Sequence, residues 1–204
     1  MSTSRSYGNL TYWDGPLVWI DCEMTGLDYK TDRILEIAVI ITNGNLEAVD
    51  DGIEFVIHTE KAVLDNMNDW CIQHHKASGL TDACLESKYT TASVQQEIMK
   101  YIKKWIPMQR TAMLAGNSVH ADRVFLSREM PDIVDWLHYR IIDVSSIKEL
   151  HRRWYPRRPL PDGVFRRETK HRARDDIQGS IEELKWYREN IFVSPDVYGK
   201  RSFS

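Results

Sequence analysis

Two acidic residues at the end of a short apolar run are the first side chains in the sequence that could do chemistry. Asp21 and Glu23 follow residues 17–20, a run that predicts a buried β-strand. Because alternate side chains of a strand lie on the same face, both carboxylates point to one side. A divalent cation would relieve their repulsion, and oxygen ligands favour Mg²⁺ or Mn²⁺ over zinc. The pair alone does not distinguish a metal site from a strand that ends in solvent.

Acidic residues further along the chain could complete such a site. Asp122 lies at the start of a predicted helix, and Asp175 and Asp176 lie near the start of the last one. Acidic side chains are common at helix N-termini because they suit the helix dipole, so each alone indicates little. His171 precedes Asp176 by five residues, and the two converge most easily if His171 lies on the loop before the helix. Such a histidine, on an arginine-rich loop beside a proposed metal ligand, is well placed for catalysis.

The surrounding pattern predicts the elements that would hold these side chains. Apolar and β-branched runs predict strands, after the first, near residues 34–41, 55–57, 113–115 and 139–143. Apolar spacing of three and four predicts helices from Thr90 or Thr91 to 106, over 122–130, from a cap at Ser145 to 154, and around 177–187. Strands followed by alternating helices and strands indicate an α/β protein, a sheet with helices on its faces.

Glu36 is out of place in this pattern. It interrupts a run of apolar residues that we expect to form a buried central strand. A buried carboxylate requires a partner, so the sequence predicts that an arginine or backbone N–H groups bind Glu36.

Composition limits the function classes. The chain has 204 residues, 42% of them hydrophobic, which suits one domain with a real core. No apolar run is long enough to cross a bilayer, and three widely spaced cysteines without a CxxC pair fit a reducing compartment. The net charge of −3 argues against a general nucleic-acid binder. Residues 148–174 nevertheless carry ten Lys/Arg and three Asp/Glu, which indicates either a phosphate site or a solvated helix face with its loop.

Together these residues resemble the DEDD exonuclease superfamily, and within it the oligoribonucleases most closely. The resemblance rests on five stretches that occur in the family's order, at residues 19–27, 70–80, 116–122, 138–145 and 171–177. It implies a ribonuclease H-like mixed β-sheet flanked by α-helices. It also predicts an exonuclease domain at about 15–192, between a flexible N-terminal arm at 1–14 and a C-terminal tail at 193–204.

The resemblance assigns roles to the acidic residues. Two divalent cations, Mg²⁺ or Mn²⁺, are expected to bind four carboxylates, those of Asp21, Glu23, Asp122 and Asp176. His171 resembles the general base. The superfamily's other branch has a tyrosine four residues before the last aspartate, and because Arg172 stands there the histidine branch is supported.

Further positions resemble the family's substrate contacts. Leu27 and Trp70 correspond to residues that wedge and stack the terminal bases, and His75 matches a histidine five residues after that tryptophan. The groups expected around the 5′ phosphate are Ser118, Arg140 and Ser145, with His138 and Tyr139 reaching in from a second subunit. Two positions depart from the family: Arg174 and Cys22 stand where leucine is common. We expect Arg174 to face outward.

The implied function is a 3′→5′ exoribonuclease that acts on short single-stranded RNA, roughly two to five nucleotides long, and releases 5′-mononucleotides by two-metal catalysis. The resemblance further implies a homodimer with no membrane association, inside the cell in the cytoplasm or the mitochondrion. Two alternatives stay open: a general 3′→5′ exonuclease that also acts on DNA, and a non-catalytic nucleic-acid-binding module.

Overall fold

The fold is seen in a computed structural model that describes residues 8–157 and 172–192. A five-stranded mixed sheet has the order β3-β2-β1-β4-β5. Its strands are β1 (Leu17–Met24), β2 (Ile34–Thr42), β3 (Ile53–Val56), β4 (Met113–Gly116) and β5 (His138–Asp143). The first three strands pair antiparallel, and β4 and β5 add in parallel. The acidic strand β1 is therefore central, as the sequence predicts.

Eight α-helices in the described ranges accompany the sheet. They are α1 (Lys61–Leu64), α2 (Asp69–Ala77), α3 (Leu80–Glu86), α4 (Thr91–Trp105), α5 (His120–Glu129), α6 (Pro131–Trp136), α7 (Val144–Trp154) and α8 (Ala173–Asn190). None of the helices within those ranges is long and apolar enough to cross a bilayer. The predicted α/β class is confirmed.

The sheet separates two layers of helices, and strand alternation decides which side chains face each layer. Val18 and Ile20 of β1 pack in one apolar cluster with α4, α5 and α6. Trp19 of β1 packs in another, with Ile177 and Ile181 of α8. Asp21 and Glu23 have the same parity as Trp19, so they face the α8 side. The apolar pattern of the strand thus aims both carboxylates at the start of α8.

Several element boundaries differ from the predictions. The four short helices α1, α2, α3 and α6 were not predicted. Pro131 begins α6 and does not merely end α5, because proline is tolerated in a first helical turn. Asp143, not Ser145, caps α7, since its side chain accepts a hydrogen bond from the Ser145 N–H. Thr90 caps α4, which was one of the two predicted positions.

Part of the segment predicted as an N-terminal arm packs on the domain. Leu10 is buried, and its N–H donates a 2.7 Å hydrogen bond to the carbonyl of Trp105. A 3₁₀ turn at Tyr12–Asp14 then leads into β1. Residues 1–7, like the predicted tail 193–204, lie outside the described residues.

Candidate active site

Three carboxylates meet where β1 approaches the start of α8. Asp21, Glu23 and Asp176 each offer one oxygen, and these oxygens lie within 4.8 Å of one another. The first two come from one face of a central strand, and the third from the first turn of α8. The structure therefore brings together three of the four predicted metal ligands, which lie 155 positions apart in the sequence at most.

The fourth, Asp122, approaches β1 from the opposite helix layer. It lies in the first turn of α5 and is buried. Its Oδ1 accepts a 3.0 Å hydrogen bond from the backbone N–H of Cys22, the residue between Asp21 and Glu23. This bond ties α5 to the acidic strand and holds the carboxylate beside the cluster, although outside the group of three.

Burial makes this cluster electrostatically costly. The pKa of Asp21 lies well above its usual range because burial disfavours the charge and Asp122 and Asp176 are negative. Burial, Asp176 and Glu36 raise the pKa of Glu23 to about 8. Burial also raises the pKa of Asp122 to about 7, although backbone hydrogen bonds oppose the rise. Buried carboxylates that repel one another, with oxygen donors only, fit a divalent cation.

A cleft of about 460 Å³ opens above these acids. Its lining includes Asp21, Glu23 and Asp122 together with the predicted base contacts Leu27 and Trp70. Both apolar side chains are largely exposed, at 84% for Leu27 and 55% for Trp70. Exposed apolar groups at the rim of an acidic cleft can contact the bases of a nucleic acid whose phosphate reaches the acids.

The loop that carries Leu27 is held by Asp32. The Asp32 carboxylate accepts hydrogen bonds from the Thr25 hydroxyl at 2.8 Å and from the Asp28 N–H at 2.9 Å. Gly26 lies against it, and a Cβ at Gly26 would lie 2.4 Å from Asp32 Oδ2. A larger residue at this position would displace the Asp32 carboxylate, which holds the loop that presents Leu27.

Trp70 and His75 both belong to α2 but lie differently. Asn68 caps the helix, and Trp70 in its first turn stacks on the His74 ring, with ring centroids 3.9 Å apart. His75 is buried behind the cleft, where its Nε2 lies 2.9 Å from the Met24 carbonyl and its Nδ1 lies 4.0 Å from Glu23 Oε2. The geometry therefore brings His75 to Glu23, while Trp70 faces the open cleft.

Asp143 organises the other side of the cleft. Its Oδ1 accepts hydrogen bonds from the backbone N–H groups of Ser118 and Ser145 and from the Ser145 hydroxyl, at 2.9, 3.0 and 2.6 Å. Its Oδ2 lies 3.1 Å from His120 Nδ1. Ser118 adopts a left-handed backbone with φ of 55°, and it lines the cleft. Two of the predicted phosphate contacts are thus held by one carboxylate.

The three remaining predicted contacts lie on β5, an edge strand. The rings of His138 and Tyr139 stack with centroids 4.4 Å apart, and the Arg140 guanidinium lies 4.9 Å from the Tyr139 ring. Tyr139 and Arg140 are exposed. Their contact with a phosphate, or with a partner's cleft, stays a prediction.

His171 lies outside the described residues, so its role as general base also stays a prediction. Its neighbour Arg172 is described, and its guanidinium binds Glu36. The predicted arginine partner of Glu36 is therefore confirmed. Arg174 turns away from the acids and donates a 2.6 Å hydrogen bond to the Asp51 carbonyl.

Sequence reasoning did not single out Asp32, His120 or Asp143. The carboxylates of Asp32 and Asp143 bind backbone and hydroxyl groups close to the cleft, and the His120 imidazole binds Asp143. The only available signal was their place beside the matched stretches, since Asp143 lies two residues before Ser145 and His120 lies two residues after Ser118.

Comparison with known proteins defines the class first. An exonuclease family model, RNase_T, matches residues 18–184. Among solved structures, exonuclease I of Methylocaldum szegediense superposes with a TM-score of 0.65 at 16% identity, over 87% of this chain and 41% of the other. Exonuclease I of E. coli in complex with a dT13 oligonucleotide gives 0.66 at 15% identity, over 91% and 43%. The fold is thus the ribonuclease H-like fold of the exonucleases.

Closer relatives define the family. A probable oligoribonuclease of Schizosaccharomyces pombe is 53% identical over 85% of this chain and 67% of its own length. The mitochondrial oligoribonuclease of Saccharomyces cerevisiae is 49% identical over 88% and 69%. The oligoribonuclease of Rhodococcus jostii is 49% identical over 87% and 88%. The chain belongs to the oligoribonuclease family of 3′→5′ exoribonucleases.

Proposed function

We propose that the protein hydrolyses RNA of roughly two to five nucleotides from the 3′ end, dinucleotides above all, by two-metal catalysis. The observation that carries the proposal is the convergence of Asp21, Glu23 and Asp176, with Asp122 alongside. Asp21, Glu23 and Asp122 line a cleft that Leu27 and Trp70 also line. In this proposal the four carboxylates hold two divalent cations, Mg²⁺ or Mn²⁺.

When bound, such ions supply a nucleophilic water and stabilise the charge that develops on the phosphate. The chain's own residues would do the rest. His171 would take the proton from the attacking water, a role that suits an imidazole at neutral pH. Trp70 and Leu27 would hold the bases, and because stacking does not depend on base identity, sequence preference should be weak.

A preference for short strands would come from the side of the cleft that Asp143 organises. There Ser118 and Ser145 share one acceptor, which fixes their positions before substrate arrives. In our proposal these serines bind a 5′ phosphate, and Arg140 contributes a charge-assisted hydrogen bond. A long strand could bind only by displacing these contacts.

We further propose that two chains form a dimer in which His138 and Tyr139 of one chain complete the other's site. We also propose that the protein acts in the mitochondrion or the cytoplasm; the mitochondrial oligoribonuclease of yeast among its relatives supports the first.

The test measures affinity against length. An Asp176→Asn variant would be titrated with 5′-phosphorylated RNA of two to seven nucleotides and with DNA of the same sequences. We expect the tightest binding at two nucleotides and weaker binding to DNA. Affinity that rises steadily with length would contradict the closed pocket, and equal affinity for DNA would favour a general exonuclease. Chelation should abolish hydrolysis by the unmodified protein, and activity in excess chelator would exclude metal catalysis.

A further inference from the structure

A carboxylate outside the metal cluster is bound by an arginine at the start of α8. Glu36 lies in the middle of the sheet and is fully buried. Arg172 Nε lies 2.9 and 3.1 Å from its two carboxylate oxygens, and Arg172 Nη2 lies 2.6 Å from Oε1. Both carboxylate oxygens of Glu36 accept hydrogen bonds from Arg172. The contact therefore fixes the position of the guanidinium in addition to attracting its charge.

The same arginine is the N-cap residue of α8, although its side chain makes no capping bond. Its carbonyl accepts hydrogen bonds from the N–H groups of Asp175 and Asp176, at 3.0 and 3.2 Å. The first turn of α8 therefore starts from a residue whose side chain is bound to β2. Asp176, the carboxylate that α8 contributes to the cluster, is four residues from that point, or about one helical turn.

Strand register places this pair directly beside the acidic cluster, on the same face of the sheet. Glu36 is the cross-strand partner of Glu23, and Glu54 on β3 is the partner of Ala38. Like charges directly opposite one another on a sheet are destabilising. Arg172 lies close to these glutamates, and its Nη2 is also 3.7 Å from Glu54 Oε1. Arg172 is thus a cation that contacts the acidic face of the sheet and is also the N-cap residue of α8.

Stability alone does not account for this arrangement. A buried ion pair can often be replaced by apolar side chains at little or no cost in stability, because desolvation offsets the attraction. An apolar pair would not, however, fix the direction of a helix start through two defined hydrogen-bond acceptors. The ion pair fixes the position of the start of α8, and Asp176 lies about one turn from that start.

We propose that Glu36 and Arg172 are positioning residues, which fix the first turn of α8 on the sheet so that Asp176 meets Asp21 and Glu23. The inference rests on the metal site of the proposed function. Neither residue needs to contact the ion or the substrate. Misplacement of Asp176 should weaken metal binding and slow turnover, with little effect on the base contacts at Leu27 and Trp70 on the other elements.

The test uses Arg172→Met, Arg172→Lys and Glu36→Gln, with Arg188→Met as the matched control. Arg188 belongs to the same helix and binds Asn45 at 2.9 and 3.2 Å, at the end away from the acids. Mn²⁺ affinity would be measured by calorimetry without substrate, and kcat and KM would be measured on a 5′-phosphorylated dinucleotide.

For Arg172→Met we expect a loss of Mn²⁺ affinity of about tenfold or more and a comparable fall in kcat, with KM changed less than about twofold. Arg172→Lys should recover part of the loss. Arg188→Met should leave Mn²⁺ affinity and kcat unchanged even if its melting temperature falls. Unchanged Mn²⁺ affinity in a folded Arg172→Met variant would overturn the proposal.

Three further results keep the test decisive. If Arg172→Met does not fold, Glu36→Gln and Arg172→Lys decide, since each keeps a polar pair; normal Mn²⁺ affinity in both would overturn the proposal. In the double variant of Glu36→Gln and Arg172→Met, the losses should not add, because both changes break one contact. Failure of the unmodified protein to bind Mn²⁺ would instead contradict the proposed metal site itself.

Discussion

Asp21 and Glu23 are held where burial and neighbouring acids disfavour a negative charge. Glu23 shows this most clearly, since it is opposed across the strands by Glu36 and faces Asp176. Glu36, beside the cluster, is bound by the Arg172 guanidinium. In the absence of an ion, protons are the other means of relieving the repulsion, so the site couples proton binding to metal binding.

That coupling predicts an unusual dependence of stability on pH. The pKa of Glu23 rises from an ordinary 4.5 to about 8 on folding. Between these values the unfolded chain has lost a proton that the folded chain keeps, so the free energy of unfolding falls as the pH rises through the window. We expect the metal-free protein to lose melting temperature from pH 5 to pH 8 more steeply than Glu23→Gln does. Mg²⁺ should flatten the difference, and identical slopes without metal would contradict the prediction.

The sequence was informative about single residues wherever a residue's type conflicted with its surroundings. Asp21, Glu23 and Glu36 stand in or beside apolar strands, and each was recognised as requiring a partner. The identity of the partner was less accessible. Arg172 is 136 positions from Glu36, and nothing local distinguishes it from the other arginines of its segment.

Among the elements, the junction of β5 with α7 does two things through Asp143. Asp143 caps α7, and its carboxylate also binds Ser118 in the β4–α5 loop. Hydrogen bonds from Ser145 and His120 outweigh the desolvation of Asp143 and lower its pKa, so the carboxylate is charged at neutral pH.

Asp143→Ala should therefore impair recognition of the 5′ phosphate. We expect its affinity for a 5′-phosphorylated dinucleotide to fall about tenfold or more, with a much smaller change for a dinucleotide without that phosphate. Thr90→Ala is the matched control, because it also removes a helix cap, that of α4. Loss of a cap should lower the free energy of unfolding by roughly 0.5–2 kcal/mol. An equal loss with both ligands would mean that Asp143 acts on the cleft as a whole.

The β1–β2 loop offers a test of base binding separate from the metal site. In Gly26→Ala the new methyl group would press on Asp32, so the loop must move and carry Leu27 with it. KM for a dinucleotide should rise severalfold, while Mn²⁺ affinity stays within about twofold.

Gly179→Ala provides the comparison, because no atom lies within 4 Å of a Cβ there and α8 should gain roughly 0.5–1 kcal/mol. If Gly26→Ala and Leu27→Ala both leave KM unchanged, Leu27 does not hold the bases.

The elements that escaped prediction have a common physical character. Helices α1 and α3 have four and seven residues, too short for apolar spacing to show a period. Helix α2, with nine residues, has only Cys71 and His75 buried. Helix α4, which is long and amphipathic, was by contrast predicted to within a residue at each end. The central strands were equally clear because they are apolar apart from a few residues, whereas the three-dimensional pairing of distant side chains had no local signature.

For the whole molecule, the question is whether one chain makes a complete site. Strand β5 is an edge of the sheet, and edge strands are open to pairing or docking. Large apolar side chains are exposed on β5 and the adjoining α7, namely Tyr139 at 61% and Trp154 at 66%. Aromatic residues are enriched at interfaces, so this side of the molecule favours the proposed dimer.

A mixing experiment tests whether the partner completes the site. Asp176→Asn removes a ligand from a chain's own cluster, and Tyr139→Ala would remove the group it lends to its partner. In a mixed dimer, one site has both defects, and the other combines an intact Asp176 with an intact Tyr139 from the partner. Mixing the two weakly active variants in equal amounts should therefore raise dinucleotide hydrolysis well above the mean of the separate variants. Native mass spectrometry would verify that dimers exchange, because the mixed dimer has a mass between those of the two homodimers. An absence of gain can be interpreted only once exchange has occurred. Activity that stays at the mean in exchanged dimers would show that Tyr139 serves its own chain, or no site at all.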